Sequence, residues 1–386
     1  MKICISSGGR FHSFYLAHQI NKHGHLSQII TTYPKFFLNK YINDISLINS
    51  FYFKEIYQRF FFRLPTFIKN IYNPQFFLSE IFDKFSEKRL KECDIFIGWS
   101  SFSERTLLKA KNFGAKTVIE RGSTHILFQN NILKLEYEKN NIKNGVLPHP
   151  KIIEKELREY DSADFIMVPS TFAKRTFIDQ KIEQNKILNI PYGVDLHEFY
   201  PQKKIDSKFR IIFCGSVSIR KGSHYLIRAF QELNLKNAEL WFVGDIQSCI
   251  KSILNVILFN PDIKFFKPVP QKKLRWFYNQ SNVFVLPSLE EGMPTVLLQA
   301  MACSLPIICS KNSGGGDLIS SREGGFVLDS ISIEEIKKKI LYMYENIENT
   351  KIMGKNNLRK VQKNYTWDNY GSNIISTYKK IISEKL

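Results

Sequence analysis

Short apolar runs that each give way to a helical pattern recur along this 386-residue chain, and that rhythm restricts its fold more than any other feature. "KICISS", residues 2–7, reads as a strand; a glycine-arginine turn follows, and then the 3.6-residue periodicity of "SFYLAHQINKHG". "CDIFIGWS" leads into "SERTLLKAKNFG", "KTVIER" into a further helical stretch, and "DFIMVPS" into "FAKRTFIDQ". Strands separated by helices line up in parallel, with helices covering both faces of the sheet. After residue 201 the rhythm restarts with "RIIFCGS", "AELWFVGD", "IKFFKPV", "NVFVLPS", "LPIICS" and "GGFVL", which predicts a second α/β unit.

The seam between the two runs is "NIPYGVDLHEFYP", residues 189–201, where Pro and Gly break both flanking patterns. The expected organisation is one Rossmann-like domain over 1–190 and a second over 191–365. Each is close to the roughly 150–200 residues of an ordinary domain. The tail from about Ile333 is helical, and residues 366–386, with "YTWDNYGSNIISTYKKII", form an amphipathic helix expected to pack back on the first domain. Residues 36–90, dense in Phe, Tyr and basic side chains, are expected to be helices inserted in the first domain.

A formal net charge of +19 creates a field that attracts nucleic acid, anionic lipid and phosphorylated ligands alike, so it does not choose among them. Cys4, Cys93, Cys214, Cys249, Cys303 and Cys309 include no CxxC pair and read as reduced core residues of a cytoplasmic protein. No signal-peptide apolar region opens the sequence, and no window of about 18 uncharged apolar residues suggests a spanning helix.

In open parallel sheets ligands gather at the carboxyl ends of the strands. Three loops of the second half qualify. In "FCGSVSIRKGSHYLIRAF", Gly215 opens a turn and Arg220 and Lys221 precede a helix start, where two cations oppose the helix dipole. A diphosphate held by charge-assisted hydrogen bonds explains them; a solvated basic turn is the competing reading. In "PSLEEGMP", Gly292 allows close approach or unusual torsions, and Pro294 suits the first turn of the next helix, whose free amides point at an anion or a sugar hydroxyl. Glu291 beside that site suits sugar hydroxyls and developing positive charge, or else caps the helix; Glu290 reads as solvated. "SKNSGGGDLI", with three consecutive glycines, is the weakest of the three.

Taken together, "YDSADFIMVPSTFAKRTF", "KILNIPYGVDLHEFYP", "FCGSVSIRKGSHYLIRAF" and "PSLEEGMPTVLLQAMACSLPIICS" resemble the retaining nucleotide-sugar glycosyltransferases of family 4, over roughly Glu154 to Phe326. The resemblance implies the GT-B fold: two Rossmann-like domains facing a central cleft. It also implies that a nucleoside diphosphate sugar lies against the second domain. Lys221, helped by Arg220, would neutralise the diphosphate near Gly215. Glu291, the first acid of an E-x7-E pattern, would contact the donor sugar, with the amides of Gly292, Met293 and Thr295 around it. No metal and no cofactor beyond the donor are expected, the protein's own cations serving the leaving group. The sequence departs from the family at Ser216, where many members carry arginine, and at Gln299, which replaces the second acid. Gln299 is expected to accept hydrogen bonds from the donor ribose through its carbonyl. His125 and Arg121, beyond a strand end in "KTVIERGSTHILFQN", are candidates for contact with donor sugar, acceptor or phosphate. A packed histidine and a salt-bridged arginine are the alternatives. Gly8 and Gly9 would let the first loop approach donor or acceptor, with His12 nearby.

The expected activity is metal-independent, retaining transfer of a sugar to an acceptor hydroxyl, in a free or lipid-linked glycan of bacterial surface polysaccharide synthesis. The expected location is the cytoplasm, including the inner face of the cell membrane. There the interleaved aromatics and cations of "RFFFRLPTFIKNIY", Arg59–Tyr72, would meet anionic lipid, unless they form an ordinary buried helix. Rival readings are a GT-B epimerase or phosphorylase, or a non-catalytic basic protein that binds glycan or nucleic acid. No nucleic-acid partner is expected, because the basic residues are spread along the chain and no reading module is present.

Overall fold

In the computed structural model, which describes all residues except 64–72, 144, 252, 255–259, 321 and 384–386, the strands form two separate parallel sheets. The first has seven strands: β1 (Ile3–Ser7), β2 (Leu26–Thr31), β3 (Ile48–Ser50), β4 (Ile95–Trp99), β5 (Lys116–Glu120), β6 (Phe165–Val168) and β7 (Ile187–Asn189). Their spatial order is β3-β2-β1-β4-β5-β6-β7. The second has six: β8 (Phe209–Cys214), β9 (Ala238–Val243), β10 (Ile263–Phe266), β11 (Val283–Leu286), β12 (Ile307–Ser310) and β13 (Gly325–Leu328), in the order β10-β9-β8-β11-β12-β13. β1, β4, β8, β9, β11 and β12 are buried along their whole length, as mainly apolar runs require; the charges within β8 and β9 pair with each other, Arg210 donating to Glu239 (2.8 Å).

Both sheets reverse direction at one place, between β1 and β4 in the first and between β8 and β11 in the second. Loops on either side of such a reversal diverge and leave a crevice at the carboxyl ends of the strands. The two crevices face each other, so the fold alone points to the loops after β1, β4 and β5 on one side and after β8 and β11 on the other.

The region 36–90 contains helices Phe53–Arg63 and Gln75–Arg89, but also the edge strand β3, paired with β2 at Ile29, Ile30 and Thr31. The expectation of helices alone is corrected there. The stretch Arg59–Tyr72 falls largely outside the described residues; within it Phe60 is exposed and Phe61 buried. The last helix, Trp367–Ser383, lies on the first domain: Trp367 stacks on Tyr15 with centroids 4.2 Å apart, and Asp368 accepts hydrogen bonds from Gln19 (3.0 Å) and Lys22 (2.8 Å). The chain thus crosses between domains twice, and Val194 bonds back to the second crossing through Tyr365 (2.9 Å). All six cysteines are free and buried. No helix among the described residues is long and apolar enough to cross a membrane.

Candidate active site

A cleft of about 1550 Å³ separates the two crevices. Arg220, Glu291, Thr295 and Gln299 of the second domain and Arg10, Phe11, His12 and Arg121 of the first line it. Of the residues expected at the site, Lys221, Gly215, Ser216, Gly292, Met293, His125, Gly8 and Gly9 are not part of that lining.

The loop after β8 is shaped by glycine. Gly215 has φ +129°, and Gly222, at φ +66°, turns the chain into the helix Ser223–Leu233 so tightly that a Cβ there would strike the Pro287 carbonyl. This contact and the hydrogen bond from the Leu289 amide to the Arg220 carbonyl (2.8 Å) weld the loops after β8 and β11 together. The two cations therefore meet the two glutamates. Lys221 forms an ion pair with Glu291, and Arg220 pairs with Glu290 while its other arm lies 3.4 Å from Glu291. Burial alone would lower the pKa of Arg220, but Glu291 and Glu290 push it above the usual arginine range. Lys221 does not itself line the cleft; its side chain, 15% exposed, reaches the cleft-lining Glu291 through the ion pair.

Glu290 is fully buried, which corrects the expectation that it is solvated. Besides Arg220 it accepts hydrogen bonds from Ser123 (2.8 Å), Thr124 (2.7 Å) and Gln129 (2.7 Å), all in the first domain. Burial would raise its pKa; Arg220 and the hydroxyls of Thr124 and Ser123 outweigh that and lower it to about 2. Glu290 is thus an ionised tie between domains. A second tie runs the other way: Glu136 of the first domain accepts from Tyr225 (2.8 Å) and lies 2.9 Å from His224 Nε2, while Lys139 donates to Tyr225 (2.7 Å).

Gly292 and Met293 pack in this seam, and neither lines the cleft. A Cβ on Gly292 would collide with the Gly122 carbonyl of the first domain, and its own carbonyl accepts from Ser170 (2.6 Å); Met293 is buried. The glycine-triplet loop braces the same strand end. The Glu291 amide donates to the Asn312 carbonyl (2.8 Å), Asn312 donates to the Leu289 carbonyl (2.9 Å), and Gly314 packs against Gly292.

Gln299, the lone amide of the apolar helix Thr295–Ala302, does reach the cleft, but its carbonyl oxygen accepts a hydrogen bond from the buried Tyr278 (3.1 Å). One lone pair of the carbonyl expected to meet ribose is thus already used within the protein. What the side chain offers the cleft is its amide N–H, which bonds to no described residue.

His125 is only 1% exposed. Its Nδ1 accepts from the Leu127 amide (3.2 Å), capping the helix Ile126–Lys139, and its ring packs against Tyr160 and Phe177. Burial, reinforced by Arg121, lowers its pKa to about 4. It is the packed histidine, and the expected contact with donor or acceptor is withdrawn. Arg121 lines the cleft but is held by Glu156 (2.9 Å), Gln129 (2.9 Å) and the Thr124 carbonyl (2.9 Å), so it is chiefly a strut. His12 lies on the cleft wall, its Nε2 3.4 Å from the buried carboxylate of Glu120. Sequence reasoning missed Glu290 and Glu120. The adjacent acids of "LEEG" signalled a pair without saying which one turns to the other domain.

Residues 197–360 match the family described as "Glycosyl transferases group 1". The fold of the whole chain is GT-B. A sucrose-phosphate synthase from Thermosynechococcus elongatus superposes with a TM-score of 0.72 over 100% of both chains, at 16% identity. Anabaena HepE in complex with UDP-glucose gives a TM-score of 0.69 over 98% of this chain and 100% of its own, at 14% identity. In sequence, the capsular polysaccharide biosynthesis glycosyltransferase CapM of Staphylococcus aureus is 23% identical over 249 residues, 60% of this chain and 65% of CapM. The alignments with the first curated relatives span 52% and 65% of those proteins' length.

Proposed function

We propose that this chain is a metal-independent, retaining glycosyltransferase. It moves a sugar from a nucleoside diphosphate sugar to a hydroxyl of a free or lipid-linked glycan acceptor in surface polysaccharide synthesis. The observation that carries the reading is the meeting of Arg220 and Lys221 with Glu291 where the second sheet reverses. Two cations and a carboxylate gathered at one crevice match a substrate that has a diphosphate next to a sugar. The group 1 match supports it, as do the relative named for capsule synthesis and the neighbour solved with UDP-glucose.

In this account Glu291 holds the cations until the donor arrives. The diphosphate then takes Arg220 and Lys221, and the Glu291 carboxylate is released toward the sugar. As the bond from the anomeric carbon to phosphate breaks, charge builds on the diphosphate, and the protein's own cations stabilise it in a site already organised for the purpose. The acceptor oxygen bonds to the anomeric carbon on the face the phosphate leaves, and the leaving phosphate oxygen takes the acceptor proton. Gln299 donates to a ribose oxygen. A panel of nucleoside diphosphates and their sugars tests the reading by thermal shift, because a ligand that binds only the folded state raises its stability. One family of nucleoside diphosphates should stabilise the wild type; no stabilisation by any of them refutes the reading. Association with the membrane's inner face rests on the +19 net charge, and sedimentation with anionic but not neutral vesicles at low salt tests it.

A further inference from the structure

Among the described residues three histidines stand at helix N-caps, and one of them does not cap. His125 and His149 each accept a hydrogen bond through Nδ1 from the amide two residues on. His12, at the same position before the helix Ser13–Lys22, forms no side-chain cap. Its ring is turned instead between Trp99 (centroids 5.1 Å apart) and Tyr192 (4.2 Å), with the Tyr370 ring edge-on at 6.1 Å, and it reaches the cleft wall. Nε2 points at Glu120 Oε2, 3.4 Å away, and Nδ1 bonds to no described residue.

Glu120 is 1% exposed at the end of β5, and neither of its carboxylate oxygens accepts a hydrogen bond from a described residue. Among the described residues His12 is the one side chain ion-paired with this carboxylate, and a carboxylate facing Nε2 favours the imidazole tautomer that carries its proton there. The lone pair of Nδ1 is then left for the cleft. Beside it stands Phe11, 59% exposed and held at φ +36°, a conformation rare for a bulky residue, with its ring stacked on Trp99. The polarised C–H face of a sugar ring suits such an aromatic surface, whose π face is negative.

We propose that His12, oriented by Glu120, accepts a hydrogen bond from the attacking hydroxyl of a carbohydrate acceptor whose ring lies on Phe11 and Trp99. The inference rests on the glycosyltransferase reading and assigns its acceptor side. His12 aims the hydroxyl oxygen at the anomeric carbon as the acceptor docks; as the new bond forms and the bond from that carbon to phosphate breaks, the O–H turns from Nδ1 to the leaving phosphate oxygen, which takes the proton. Glu120 is a positioning residue, since it acts through the imidazole.

The test pairs the donor selected by thermal shift with octyl glucoside, octyl galactoside and octyl N-acetylglucosaminide as acceptor probes, water being the competing acceptor. His12→Gln should lower the ratio of transfer to donor hydrolysis at least about tenfold, within the up to about hundredfold that misplacing a reacting group by about 1 Å can cost. The donor KM should not change. Glu120→Gln should show a smaller loss with the same unchanged donor KM. An unchanged ratio, or transfer and hydrolysis falling together, overturns the assignment while leaving the glycosyltransferase reading intact. A wild type that consumes no nucleoside diphosphate sugar removes both. Independently of any acceptor, nitrogen-15 NMR of the wild-type imidazole should report the neutral Nε2–H tautomer at His12. The Nδ1–H tautomer overturns the proposal.

Discussion

Replacing Glu290 by glutamine keeps the shape of the side chain and removes its charge, which makes it the sharpest probe of how the domains are joined. In the wild type the carboxylate is buried against Ser123, Thr124, Gln129 and Arg220, and its pKa falls from an ordinary 4.5 to about 2. A carboxyl lowered in the folded state contributes stability that is complete above its unfolded pKa and disappears as pH falls through its folded one. At about 1.4 kcal/mol per unit, the shift corresponds to about 3 kcal/mol at pH 7, decreasing to about 1 kcal/mol at pH 3. Glutamine resembles the protonated acid at every pH, so the gap between wild type and Glu290→Gln should follow that curve. Urea unfolding read by the fluorescence of Trp99 and Trp241, at pH 7 and again at pH 3, measures it. A gap equally large at both pH values, or no gap at either, refutes an ionised Glu290 as the tie between the domains.

Lys221→Ala should slow turnover at least about tenfold with little change in melting temperature, because a cation behind a departing diphosphate gains its value as charge develops; steady-state kinetics with a thermal melt separates the two effects. Gln299→Ala should weaken nucleoside diphosphate binding by about 1 to 2 kcal/mol, the scale of one or two neutral hydrogen bonds, and should discriminate less than wild type between the ribo and 2′-deoxy nucleotides in calorimetry. His125→Asn, which preserves an N-cap, should retain wild-type turnover per folded molecule, whereas His125→Ala should cost about 1 kcal/mol of stability by denaturant titration.

The parallel architecture was legible because its signals are local. All six strands of the second sheet stand in the sequence as mainly apolar runs, and those ending at Cys214, Val243 and Leu286 are closed by Gly or Pro. Three strands of the first sheet were not read, for reasons visible in the structure. β2 carries Gln28, buried but bonded to the backbone of Arg89 and Lys91, which breaks its apolar run. β3 and β7 are three-residue edges, too short to show a period.

The site was readable in its chemistry and not in its orientation. Arg220, Lys221 and Glu291 stand out by type and spacing. Whether Glu290 or Glu291 faces the other domain depends on contacts more than 160 residues away in sequence. The same holds for the histidines. His12 and His125 both follow strand ends, and only the fold shows that one is absorbed in capping while the other remains open to the cleft.

The central claim, retaining transfer at the cleft where Arg220, Lys221 and Glu291 meet, is tested most directly by proton NMR of the reaction as it starts. The donor is the nucleoside diphosphate sugar selected by thermal shift. The account predicts that the first sugar product to appear keeps the donor's anomeric configuration and that its appearance nearly ceases in Glu291→Gln. A first product of inverted configuration, or a Glu291→Gln variant that turns over at the wild-type rate, contradicts it.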